Sequence, residues 1–167
     1  MTCYNPILSY GPQRFAGDFA AAGADGVLIT DLPPTESEEW GKIAADKGLA
    51  TVFLVSPTTP PERIHLATER TTGFVYAVSR AGVTGTRADL PADLATLISN
   101  IRANTSLPVA VGFGVSTADH VRAVCQIADG AIVGSALVKI IGQYAESEEL
   151  IPRVEEFARA LASGKGN

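Results

Sequence analysis

Val109-Ala-Val111 running into Gly112-Phe-Gly114-Val-Ser116, and Ala131-Ile-Val133 running into Gly134-Ser135, decide how this chain folds. Each is a short apolar run, rich in β-branched residues, that stops abruptly at glycine. The runs are too short for helices and do not alternate with polar residues, so they read as strands covered on both faces, as in a parallel sheet. Outward from them the same pattern recurs at Met1–Tyr4, Gly26–Thr30, Ala50–Val55 and Phe74–Val78.

Amphipathic stretches separate these runs. Pro12–Ala22 reads as helix. Thr35-Glu-Ser-Glu38 has the spacing of a capping box, opening a helix that places Trp40, Ile43 and Ala44 on one face and ends at Gly48. Thr59-Pro-Pro-Glu62 repeats the device, with Ile64 and Ala67 inward. Leu94, Leu97, Ile98 and Ile101 follow helical spacing within Pro91–Ala103, as do Val121, Val124 and Cys125 within Thr117–Ile127. Further helices are expected at Leu137–Tyr144 and near Glu148–Ala162, where Leu150, Val154, Phe157 and Leu161 form a stripe. Ser163–Asn167 reads as a frayed end. The alternation gives about six βα units in a single domain over residues 1–167, with no linker or internal boundary. The expected fold class is α/β, a (β/α)8 barrel that is two units short of closure.

Composition narrows the function. With 46% hydrophobic and 19% charged residues over 167 positions, the chain can bury a core. A net charge of −5 leaves no basic face for nucleic acid or anionic membrane, although backbone amides could still bind a small anion. Cys3 and Cys125 lack metal-ligand or disulfide spacing and read as buried thiols. The amino terminus has no secretory pattern and no segment reaches the roughly 18 apolar residues of a spanning helix, so a cytoplasmic location is the default expectation.

Chemistry in parallel α/β folds sits at the carboxyl ends of strands. Three such ends are glycine-rich here. Ser79-Arg-Ala-Gly-Val-Thr-Gly85, after Phe74–Val78, reads as a mobile loop over a site, with Arg80 able to approach a phosphate. Gly112-Phe-Gly114 lets backbone amides approach an anion that a β-carbon would block. Gly134-Ser135 precedes a helix whose amino terminus favours negative charge. The last two match the phosphate site that barrels build after their seventh and eighth strands. His65 and His120 read as solvated helix positions, Lys139 as a helix residue rather than a Schiff base, and Glu146, Glu148 and Glu149 as a solvated face.

Asp31-Leu-Pro-Pro34, Tyr76 with Ser79–Gly85, Gly112-Phe-Gly114 and Gly134-Ser-Ala-Leu-Val-Lys-Ile-Ile141 together resemble the tryptophan synthase alpha subunit family in order and spacing. Met1–Ile7 resembles that family's third strand. The resemblance implies a lyase that cleaves indole-3-glycerol phosphate to indole and glyceraldehyde 3-phosphate, in tryptophan biosynthesis, without a cofactor, as part of a heterotetramer with a pyridoxal-phosphate beta subunit. By position, Gly85, Gly114, Gly134 and Ser135 would hold the phosphate, Tyr76 and Phe113 would line the indole pocket, and Thr84 would belong to the closing loop. Asp31 and Pro33 would lie near the beta-subunit interface. The family's acid/base glutamate and its indole-binding aspartate lie upstream of the third strand and have no counterpart here, so no catalytic residue is assigned. Two other readings stay open: a non-catalytic phosphate-binding or beta-subunit-binding module, and another phosphate-barrel isomerase or synthase.

Overall fold

The computed structural model describes residues 1–79, 92–112 and 114–165. Its strands are β1 (Gly26–Leu28), β2 (Ala50–Val52), β3 (Leu54–Val55), β4 (Val75–Val78), β5 (Val109–Gly112) and β6 (Gly130–Ile132). All pair in parallel, β1 with β2 and β3-β4-β5-β6 in that order. The expected strand Ala50–Val55 is thus assigned as two pieces. They are one run of wall: Phe53 between them accepts the Tyr76 amide at 3.0 Å, and side chains keep alternating across it. The first half pairs back to β1 and the second forward to β4.

The helices α1 (Tyr4–Tyr10) and α2 (Pro12–Ala21) precede β1; α3 (Glu38–Asp46), α4 (Pro61–Arg70), α5 (Ala92–Arg102) and α6 (Ala118–Cys125) follow β1, β3, β4 and β5, and α7 (Ser135–Tyr144) and α8 (Leu150–Ala162) both follow β6. The molecule is an incomplete (β/α)8 barrel.

Side-chain alternation separates the wall into two faces. Odd-numbered residues point to the helices. Val55, Val75, Ala77 and Val109 are fully buried there, against Leu94, Leu97, Ile98 and Ile101 of α5 and Val124 of α6. Full burial of such side chains contributes about 1.5–3 kcal/mol each. A second cluster holds Ile7, Ala16, Val27, Ile29, Trp40 and Ile43, so the Trp40 stripe faces inward as its spacing predicts. Even-numbered residues face the barrel interior, where Leu54, Tyr76, Val78, Ala110 and Ile132 are only half-buried.

Several local expectations change. Met1–Tyr4 is not a strand: Thr2 alone bridges Ile29, and Tyr4 already begins α1. The cause is Asp31, whose carboxylate accepts the Tyr4 amide at 2.6 Å and so satisfies a donor at the helix start. Neither capping box forms. A 3-10 turn at Pro34–Glu36 intervenes before α3, and Ser37, at the N-cap, donates its hydroxyl to the Pro34 carbonyl. Thr59 instead accepts the Ser56 amide at 2.9 Å, because α4 starts only after Pro60, and prolines have no N–H for a threonine to cap. Gly48 does end its helix, at φ +70°.

At the other end, Ser163–Lys165 is not frayed but forms a 3-10 turn with Gly164 buried on α6. A β-carbon on Gly164 would fall 2.2 Å from the Ala118 carbonyl oxygen, so only glycine permits this docking. Cys3 is exposed and Cys125 half-buried, not both buried, and both are free thiols. The stripe Leu150, Val154, Phe157 and Leu161 exists, but at half burial. Large exposed hydrophobics gather at the two ends of the wall: Met1, Leu8, Tyr10 and Phe19 at one, Val138, Ile141 and Ile151 at the other. Among the described residues, no helix is long and apolar enough to cross a membrane.

Candidate phosphate and ligand site

Register brings the glycine turns to one level. Val78 pairs with Gly112, and Gly112 with Ile132, so Ser79, Gly114 and Gly134 follow at the same edge of the sheet, its carboxyl end. The Ser79 amide donates to the Gly112 carbonyl at 3.1 Å, fastening β4 to β5 at that edge. Gly114 has φ +80°, a conformation that side-chain-bearing residues rarely adopt, so glycine is required there.

Gly134 is the N-cap of α7, and the helix starts at Ser135, two residues earlier than its apolar pattern suggests. The Gly134 carbonyl accepts the Leu137 and Val138 amides. The amides ahead of these, at Ser135 and Ala136, have no carbonyl one turn back and point out of the helix end, where the dipole favours an anion. Gly134 and Ser135 are exposed, and a β-carbon on Gly134 would meet nothing within 4 Å.

Tyr76 stands on the interior face of β4. Its hydroxyl lies where a β-carbon of Gly112 would be, 1.8 Å from that position, so Gly112 is needed to seat the ring. Burial pushes the Tyr76 phenol up. The ring borders an interior cavity of about 540 Å³ that lies toward the amino ends of β1, β2 and β4, shared with Gly26, Leu28, Ala50, Phe74 and Ile132.

Asp31 and Pro33, both exposed, lie with Thr30, Leu32 and Leu54 beside a separate cavity of about 360 Å³, at the carboxyl end of the wall. Because the Asp31 carboxylate accepts the Tyr4 amide, its place is at the start of α1. Thr84, Gly85 and Phe113, and Arg80 with the expected mobile loop, lie outside the described residues.

His65 and Lys139 are exposed on helices, and Glu146, Glu148 and Glu149 are exposed, with Glu149 paired to Arg153 at 3.1 Å. His120 differs from expectation. It is buried, with Nδ1 accepting the Ser116 amide at 3.3 Å. The spacing Thr117-Ala-Asp-His120 was the available signal, since Thr117 caps α6 by accepting the His120 amide. Among the described residues no group of His, Cys, Asp and Glu is arranged to hold a metal.

The chain as a whole is similar to known proteins. The chain is 49% identical to the tryptophan synthase alpha chain of Roseiflexus castenholzii over 161 residues, covering 96% of this chain and 61% of that one. It is 47% identical to the alpha chain of Solibacter usitatus, covering 99% and 62%. Among solved structures, the tryptophan synthase α2β2 complex of Pyrococcus furiosus superposes with a TM-score of 0.87 at 41% identity, covering 97% of this chain and 65% of the other. Tryptophan synthase of Mycobacterium tuberculosis gives 0.86 at 40%, covering 98% and 60%. The chain therefore spans about three-fifths of the length of the curated relatives it matches. The family model for the tryptophan synthase alpha chain matches residues 1–165, and the chain belongs to that family.

Proposed function

We propose that this chain carries the phosphate-holding and indole-facing part of a tryptophan synthase alpha subunit, the lyase that cleaves indole-3-glycerol phosphate to indole and glyceraldehyde 3-phosphate in tryptophan biosynthesis. The observation that supports it is the register Val78–Gly112–Ile132, which sets Gly114 and the Gly134–Ser135 helix start side by side at the carboxyl edge. Backbone amides of Gly114, Gly134 and Ser135, with Gly85, bind the phosphate. Tyr76 and Phe113 take the indole, and Thr84 belongs to the closing loop. Asp31 and Pro33 face the beta subunit, and no cofactor takes part in this half-reaction. The setting is cytoplasmic.

Binding of this kind does not by itself accelerate cleavage. Holding ground state and transition state equally well leaves the chemical step unchanged. Retro-aldol cleavage needs proton transfer at more than one atom, and the resemblance places the family's glutamate and aspartate upstream of the segment that aligns with Met1. Asp31, the acid at a strand end, is committed to the Tyr4 amide. Residues 1–167 alone are accordingly a binding unit without turnover.

The test is Gly134→Val, where the new side chain enters open space and leaves packing intact. Glycerol 3-phosphate binding, followed by calorimetry, should be lost while the far-UV spectrum stays as in the wild type. Unchanged binding removes the site. In the same preparation, indole release from indole-3-glycerol phosphate should not rise above the uncatalysed background. Sustained turnover would return Asp31 to the catalytic role denied to it here.

A further inference from the structure

The start of α6 is fastened in two directions. Thr117, in extended backbone, accepts the His120 amide at Oγ1, 3.2 Å away. In return the His120 ring reaches back, and its Nδ1 accepts the Ser116 amide at 3.3 Å, with the Ser116 hydroxyl 3.5 Å from the same nitrogen. A side chain three residues into a helix that returns a hydrogen bond to the preceding backbone completes a capping box, a role that Glu or Gln ordinarily takes. Imidazole takes it here, one residue further back.

The effect reaches upstream. Ser116 closes the turn that contains Gly114, and Val115 between them is buried in the core. The turn is therefore held on two sides, by Val115 packing and by the His120 ring. The bond also sets the ring's proton. A backbone N–H can only donate, so Nδ1 is the unprotonated nitrogen and the proton resides on Nε2.

We propose that His120 is a positioning residue for the anion site: neutral and protonated on Nε2, it holds Ser116, and through it the Gly114 turn, in the conformation that presents amides to a phosphate. This rests on the phosphate-site reading above. His120 itself touches no ligand.

The full chain, labelled with 15N, provides two independent readouts. Long-range imidazole spectra should show His120 with Nδ1 unprotonated, and a ring protonated at Nδ1 overturns the proposal whatever the ligand does. Titration with inorganic phosphate then compares variants. His120→Leu, which has no acceptor, should weaken phosphate binding by about five- to tenfold, the equivalent of one hydrogen bond. His120→Gln, whose amide oxygen can accept, should stay within about twofold of the wild type. Amide exchange at Ser116 should be slow in the wild type and in His120→Gln, and fast in His120→Leu. Equal phosphate affinity in all three means that the ring merely packs, and overturns the proposal. Should His120→Leu fail to fold, His120→Gln decides alone: loss of either its affinity or its Ser116 protection overturns the assignment. If the wild type binds no phosphate, the site reading falls and the ligand-directed role falls with it, while ring tautomer and Ser116 exchange still report whether the anchor exists.

Discussion

The two faces of the wall are made of the same kinds of residue and live in different surroundings. Val55, Val75 and Val109 on the helix-facing side have no exposed surface, whereas Leu54, Val78 and Ile132 on the interior side are only half-buried. Strands that are apolar on both sides fit a wall covered on both sides. Here one cover is complete within the chain, and the interior face borders an open cavity of about 540 Å³. Stability therefore comes from the helix side, while the interior side is where ligand and further cover would be gained.

The sharpest way to break this contrast is a pair of matched truncations. Ile101→Ala, at a fully buried position under the wall, should cost about 2–5 kcal/mol. Ile132→Ala, on the interior face, should cost less, about 1–2 kcal/mol, because its side chain is only half-buried. Urea midpoints at constant m-value would measure both. A cost at Ile132 equal to that at Ile101 would mean that the interior face is covered in solution, as by self-association.

A smaller effect concerns how the helix layer closes. Gly164→Ala places a β-carbon against the Ala118 carbonyl and should destabilise by about 1–3 kcal/mol. Gly142→Ala, in open space on exposed α7, should instead stabilise by about 0.5–1 kcal/mol through helix propensity. Thermal unfolding of the two variants should move in opposite directions. Equal shifts would show that the Gly164 turn is not docked.

The smallest effect lies at the amino edge of β5. Asp129 accepts the Val109 amide at 2.8 Å and lies 3.2 Å from Arg102. Chiefly the backbone hydrogen bond, with Arg102 adding to it, holds its carboxyl below the usual range. A lowered folded pKa means that the contribution is full above the ordinary carboxylate value, about 3.9, and is lost as pH falls through the folded value. Because both side chains are half-exposed, the contribution is about 1 kcal/mol or less. Asp129→Asn should flatten the fall of stability below about pH 4 and leave the neutral-pH ligand site unaffected. An unchanged acid limb would assign that loss to other carboxylates.

Much of this was legible from periodicity alone. Short β-branched apolar runs locate the strands from Gly26 onward, and the spacing of Trp40, Ile43 and Ala44, or of Leu94, Leu97, Ile98 and Ile101, locates the buried faces of α3 and α5. The levelled glycine turns at Gly114 and Gly134 follow from strand order. What could not be read depended on partners distant in sequence. Tyr4 begins a helix because Asp31, 27 residues away, accepts its amide. Thr35 and Thr59 have capping-box spacing, but a 3-10 turn and two prolines move the helix starts past them. Gly164 belongs to a tail without apolar pattern, and only its docking on α6 gives it order. For His120 the spacing Thr117-Ala-Asp-His120 marks a helix cap, but the ring's turn back towards Ser116 shows only in the folded chain.

The order of strand pairing has a kinetic meaning. Every strand pairs with its neighbour in the chain, and the two buried clusters meet where Ala50–Val55 passes from β1 to β4. Each addition to the wall then closes only one βα loop, and the entropy of closure grows slowly with loop length. The buried residues accordingly form two clusters, one around Trp40 and one around Val75 and Val109. Phe53, which lies between β2 and β3 and whose carbonyl takes the Tyr76 amide, is the seam between them.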